Sequence, residues 1–227
     1  MSSLLLRAYR NLPNAVSVLG VAPLVLAFAP GGKEWLPALI VYNNFMDDLD
    51  GTLARRLDLR SRFGATLDNL CDGVAHALLA VAVAAHCGLA ALAASALAAA
   101  AILSRIAGRI EDPGSRNGSQ TNELMRHLLF WLLAERAFGF DIKLAVTATL
   151  GLHAATMVAP FPMPWLLRTL ATGLFPIALI NVGLVLAWKV PQAIVPVAAL
   201  FGLSYLASIP AGIVLSRRSR GPDAEVG

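Results

Sequence analysis

Residues 75–103 read AHALLAVAVAAHCGLAALAASALAAAAIL, without one Asp, Glu, Lys or Arg. A helix crosses a hydrocarbon core of about 30 Å with about 20 apolar residues, so this run supplies most of two crossings, near 63–87 and 89–109. Leu170–Trp188 is a second long apolar run. Over the whole chain of 227 residues, 57% are hydrophobic and 14% charged. Soluble domains carry about 25% charged residues, so the charges here are too few to cover a water-facing surface. The pattern predicts an all-α, polytopic transmembrane helical bundle.

Working outward, apolar segments recur near 13–30, 35–56, 63–87, 89–109, 124–139, 142–160, 165–188 and 190–215, eight candidate spans. The run 124–139 is short and carries Arg126, His127, Glu135 and Arg136, so it could lie in the interface instead. The polar stretch Glu111–Glu123, with Pro113, Gly114 and Gly118, reads as a solvated loop, or more sharply as a lid or acceptor-binding loop. Pro160, Pro162 and Pro164 mark a turn. No internal repeat is evident, and the many Ala, Gly and Ser residues suit close helix packing in lipid. Residues 1–11 read as an amphipathic helix on the membrane surface, with a frayed start as the alternative, and no cleaved signal peptide is expected. Residues 12–216 form the transmembrane domain and 217–227 a basic cytoplasmic tail.

The net charge of +4 is not a nucleic-acid signature, because the basic residues flank apolar spans in the positive-inside pattern. Arg55, Arg56, Arg60 and Arg62 place the 56–62 connection in the cytoplasm, and Arg105, Arg109 and Arg116 return the chain there. The basic tail after the last span then requires an even number of later spans. Eight spans satisfy this, with six as the alternative. Cys71 and Cys87 form no metal or redox spacing and read as small buried side chains.

The chemistry concentrates in residues 46–73, MDDLDGTLARRLDLRSRFGATLDNLCDG. On a helix, Asp47, Asp50, Gly51, Ala54 and Arg55 form one stripe of two carboxylates, two small residues and a guanidinium. Gly64, Asp68 and Asp72 repeat the small-plus-acidic arrangement at intervals of four. Two antiparallel helices joined by the short basic turn bring both acidic faces together near the cytoplasmic boundary. An acidic side chain at mid-bilayer costs about 2.5–3.5 kcal/mol, and four converging carboxylates repel one another. Bound cations remove that penalty, and oxygen ligands suit Mg²⁺ or Mn²⁺. Two such ions about 3.5–4 Å apart serve displacement at phosphorus. Gly51 and Ala54 leave room for a flat group, and Arg55 can grip a phosphate bidentately. A charged helix end at the membrane surface is the plainer alternative, and it is the one accepted for Asp48 and Asp58.

These residues resemble the CDP-alcohol phosphotransferase family pattern, D-x2-D-G-x2-A-R-x8-G-x3-D-x3-D, at all eight fixed positions: Asp47, Asp50, Gly51, Ala54, Arg55, Gly64, Asp68 and Asp72. Leu12-Pro13-Asn14-Ala15-Val16-Ser17 weakly resembles the start of the family's first span. The resemblance implies a six-helix core and a site for two metal ions formed by the four aspartates. It implies that Gly51, Ala54, Arg55 and Gly64 bind the CDP moiety of a CDP-lipid such as CDP-diacylglycerol. It further implies that Asp72 is the general base that deprotonates a small alcohol, which attacks the β-phosphorus and expels CMP. A homodimer working at the cytoplasmic face is implied as well. The compact, alanine-rich chain suggests a bacterial plasma membrane.

For the acceptor, Asn69 and Gly73 depart from the Pro and Lys common in phosphatidylglycerophosphate and cardiolipin synthases of the family. Asp68-Asn69-Leu70-Cys71-Asp72 lies nearer the D-S-L-A-D of phosphatidylserine synthases, so serine is the leading acceptor. An inositol-phosphate acceptor would call on Arg105, Arg109 and Arg116. His76, one turn beyond Asp72, could orient that carboxylate or simply pack; His127 could face a head group; His86 and His153 read as interface or packing residues. Asn14 and Ser17 could cap the first span or touch the nucleotide. An ion-coupled transporter would also keep intramembrane carboxylates, but it gives the Gly-Ala-Arg stripe no role.

Overall fold

The computed structural model describes residues 9–111, 120–159 and 174–218. Their regular structure is entirely helical. In chain order the helices are α1 (Leu12–Val21), α2 (Gly32–Arg56), α3 (Arg62–Ala85), α4 (Leu89–Glu111), α5 (Gln120–Phe138), α6 (Lys143–Val158), α7 (Leu174–Lys189) and α8 (Pro191–Arg218). A 3₁₀ segment, Ala22–Phe28, extends α1. Residues 1–8, most of the 111–123 stretch including Arg116, the turn at Pro160–Pro164 and the tail beyond residue 218 lie outside the described residues. Among those described, α3, α4 and α8 are long and apolar enough to cross a membrane. The chain is an integral membrane helical bundle.

The first expected span, 13–30, is not one helix. Pro23 lacks the N–H that would bond the carbonyl of Leu19 and its ring crowds that carbonyl, so α1 gives way to the tighter 3₁₀ segment. The Leu19 carbonyl instead accepts a 2.9 Å hydrogen bond from the Tyr42 hydroxyl on α2. The chain then doubles back through Gly31, in the left-handed region at φ 75°. A Cβ at Gly32 would lie 2.2 Å from the Ala27 carbonyl oxygen, so only glycine permits this return.

Contacts along the helices fix an alternating, antiparallel order. Ser17 meets Asp50, and Gly20 backs onto Met46, so α1 runs against α2. Asn122 meets Asp47, Arg126 meets Asn44, and Lys33 pairs with Glu135 at 2.7 Å, so α5 also runs against α2. His127 with His153 and Trp131 with Thr149 set α6 antiparallel to α5. The His86–Gly88 turn joins α3 to α4, and Val190 alone joins α7 to α8. Arg55, Arg56, Arg60, Arg62, Arg105, Arg109 and Arg217 therefore gather at one end of the bundle, while Lys33, Glu135, Lys143 and Lys189 lie at the other.

α5 is the helix whose sequence allowed an interfacial position, and the structure corrects this. It packs against α2, α3, α6, α7 and α8 and is buried along most of its length. Arg126 pairs with Glu123 at 2.5 Å inside the bundle, Glu135 pairs with Lys33 at its far rim, and Arg136 is exposed there. The helix begins at Gln120, so Asn122 and Glu123 belong to its first turns rather than to a loop. Lipid tails are as apolar as the side chains, so burial alone does not hold such helices together; close packing and interhelical hydrogen bonds do. Gly73 supplies the first, letting Ile106 of α4 approach within 3.1 Å of where a Cβ would stand.

Candidate active site

The turn between α2 and α3 is built by local chemistry. Arg55 and Arg56 in the last turn of α2 complement the negative end of its dipole. The Leu59 N–H bonds the Ala54 carbonyl at 3.0 Å and the Leu57 N–H bonds that of Leu53 at 2.9 Å, a helix-ending motif that needs a left-handed residue between them. Asp58 takes that conformation at φ 52°, which Asp tolerates better than most residues. Ser61 then caps α3, its hydroxyl accepting the Gly64 N–H at 2.9 Å. Such a cap contributes about 1 kcal/mol. The connection is short enough to lay the acidic stripes of α2 and α3 side by side.

Carboxylate oxygens of Asp47, Asp50 and Asp68 all lie within 4.8 Å of one another. Asp50 is 3% exposed. Its Oδ2 accepts a 2.5 Å hydrogen bond from Ser17, whose hydroxyl also lies 3.2 Å from the Pro13 carbonyl. Its Oδ1 is buried and takes no hydrogen bond among the described residues. Asp72, 9% exposed, lies outside the tightest trio but lines the same cleft as Asp47, Asp50 and Ser17, and its carboxyl meets that of Asp47. Asp68 likewise meets Asp50. Acceptor oxygens thus face acceptor oxygens with too few donors between them, an arrangement that suits a shared cation. By helix rise, Asp68 and Asp72 stand about 9–15 Å along α3 from its basic end.

The residues expected to meet a nucleotide lie on the same two helices, toward the basic turn that joins them. Arg55 is exposed and lies over Gly51, its Nη1 standing 3.3 Å from where a Cβ would be, and it donates to the Thr52 hydroxyl at 3.2 Å. Ala54 is one turn beyond Gly51. At Gly64 a Cβ would come within 3.0 Å of both the Asn14 amide oxygen and the Ser61 hydroxyl, so part of the room left by this glycine is already taken. Asn14 lies within α1, where it donates to Asn11 at 3.2 Å, and neither Asn14 nor Ser17 caps the helix.

A second polar group surrounds the acidic one, and sequence reasoning missed it. The Asn122 amide donates to Asp47 Oδ2 at 2.9 Å. Asn181 on α7 donates to Asp48 Oδ2 at 2.6 Å, and Asn44 donates to Asn181 at 3.0 Å. Arg126 donates through Nη2 to Asn44 at 3.1 Å and stands 5.4 Å from the centre of the Phe201 ring. Asp48 is therefore an internal hydrogen-bonded group, not the ordinary charged helix end that its sequence neighbourhood indicated. The two asparagines in Tyr42-Asn43-Asn44 were the available signal, being polar residues inside an apolar span.

His76 is 1% exposed, and its Nδ1 takes no hydrogen bond among the described residues. His127 and His153 pair at 2.9 Å between ring nitrogens. Tyr205 stacks on His153 at 4.1 Å between centroids and bonds Thr156. His127 thus faces a buried cluster rather than a head group, and His153 packs as expected. Cys87 is buried and Cys71 partly so, and both are free.

A family model described as CDP-alcohol phosphatidyltransferase matches residues 10–211. No curated protein matches the chain.

Proposed function

Because this chain belongs to the CDP-alcohol phosphatidyltransferase family, and so is a transferase of substituted phosphate groups, we propose that it moves a phosphatidyl group from CDP-diacylglycerol to a small alcohol in phospholipid biosynthesis. Two divalent cations, Mg²⁺ or Mn²⁺, are held in this proposal by Asp47, Asp50, Asp68 and Asp72. The observation that carries it is the convergence of three carboxylates within 4.8 Å, one of them with a buried oxygen that takes no hydrogen bond among the described residues. Hard oxygen ligands of this kind fit those ions. When bound, the ions would neutralise pyrophosphate oxygens and the charge that develops during displacement.

The protein's own groups take the remaining roles. Arg55, which is exposed and bonds Thr52, turns from Gly51 to a CDP phosphate, and the small residues Gly51, Ala54 and Gly64 leave room for the nucleotide. Asp72 accepts the proton of the acceptor hydroxyl. The freed oxygen bonds to the β-phosphorus, the bond from that phosphorus to CMP breaks, and CMP leaves with the electron pair. The basic end faces the cytoplasm by the positive-inside pattern, in a bacterial plasma membrane, and the protein works as a homodimer.

Serine is the acceptor favoured by Asp68-Asn69-Leu70-Cys71-Asp72. A second reading, an acceptor that itself bears a phosphate (glycerol 3-phosphate or inositol phosphate), is favoured by Arg105 and Arg109, one turn apart on α4, with Arg109 in electrostatic reach of Asp68. The test is CMP release from CDP-diacylglycerol by purified protein with Mg²⁺ or Mn²⁺, over serine, glycerol 3-phosphate, inositol phosphate and choline. CMP that appears only with serine supports the first reading, and only with a phosphate-bearing acceptor the second. EDTA should stop release and added metal restore it. No CMP with any acceptor would overturn the proposal.

A further inference from the structure

We infer that Asn122 is a positioning residue: its amide holds Asp47 in the orientation that receives a divalent cation. The inference rests on the metal reading of the acidic cluster and adds to it a residue from a distant helix.

Asp47 is half-buried, and one of its oxygens must be held if the other is to face Asp50 and Asp68. Asn122 makes that hold, donating through Nδ2 to Oδ2 at 2.9 Å. A neutral amide orients a carboxylate without cancelling its charge, whereas a Lys or Arg there would take the place of the cation. The nearest guanidinium on the same helix face is Arg126, one turn further along α5. It is turned away from Asp47 by Glu123, at 2.5 Å, and by the Asn44 amide oxygen, at 3.1 Å. The Arg126–Asn44 bond braces α5 against α2, so Asn122 projects from a helix held at this level. Groups that orient ligating carboxylates in this manner set metal affinity, and their loss typically costs about 10–100-fold.

The test needs no turnover. Full-length protein in detergent, without lipid substrate, is titrated with Mn²⁺, and free Mn²⁺ is read by electron paramagnetic resonance. Asn122→Leu keeps the volume and removes the donor, and Asn122→Ala removes the donor without bulk if the leucine variant misfolds. Asn122→Gln keeps a donor on a longer stem. The expected result is a Kd at least tenfold weaker for the leucine and alanine variants, with the glutamine variant recovering most of the affinity. Wild type that binds Mn²⁺ while the donorless variants bind it equally well would overturn this inference alone, and so would equal loss in all three variants. Wild type that takes up no Mn²⁺ would overturn the metal reading itself and the inference with it.

Discussion

The Ser17 hydroxyl on α1 donates a 2.5 Å hydrogen bond to the Asp50 carboxylate on α2. Ser17 reaches Asp50 from a helix outside the two acidic stripes, and so brings α1 into the site. Ser17→Ala removes the hydroxyl that holds Oδ2 of this buried carboxylate. CMP release should fall about 10–100-fold at fixed Mn²⁺ and recover in part at higher Mn²⁺, since orienting contacts of this type act on metal affinity. Ser17→Thr keeps a hydroxyl and should stay near wild type. Steady-state rates over a Mn²⁺ series provide the check, and an unchanged alanine variant would remove Ser17 from the site.

Asp72 sits apart from the tight trio yet lines the same cleft. An aspartate with a separate duty as base fits that position. Asp72→Asn should abolish turnover while CDP-diacylglycerol binding survives in part. Equilibrium binding of labelled CDP-lipid beside a CMP-release assay separates the two effects, and near-normal turnover would refute the assignment.

Arg55 is exposed, and among the described residues its guanidinium bonds the Thr52 hydroxyl at 3.2 Å. Charge-assisted hydrogen bonds contribute about 1.5–3 kcal/mol, so Arg55→Ala should raise KM for CDP-lipid roughly 10–100-fold. Arg55→Lys should recover little of this, because an ammonium cannot match the planar fork. A loss confined to kcat would argue against a ground-state phosphate contact.

Glu123 and Arg126 form a buried pair deep in the bundle, both side chains 11% exposed. Removing one partner of a buried pair costs about 3–5 kcal/mol because the other charge stays uncompensated. Glu123→Gln should therefore lower the unfolding midpoint in detergent clearly, while the double variant Glu123→Gln with Arg126→Met should regain much of the loss. Equal destabilisation by the single and double variants would show that the uncompensated charge is not the cause.

The acidic stripes were legible in the sequence because helical periodicity is local: residues three and four apart must share a face, and the turn at 57–61 is too short to separate α2 from α3. The helices were legible for the same reason, each apolar run reporting on itself. Asn44, Asn122, Arg126 and Asn181 were not legible as a group, because their meeting depends on which helices pack together. Asp48 was misjudged for that cause, since its partner Asn181 is remote in sequence. The charges of α5 allowed a position at the membrane surface when counted alone, and only the packing of this helix against five others explains why Glu123 and Arg126 lie inside. The break after Val21 had a visible sign in Pro23, outweighed by the apolar run on both sides of it.

The most direct measurement is anomalous diffraction from crystals of the full-length protein grown with Mn²⁺. Two manganese peaks about 3.5–4 Å apart, bounded by Asp47, Asp50, Asp68 and Asp72, are the predicted result. Crystals of Mn²⁺-active protein with no anomalous peak among these four carboxylates would contradict it.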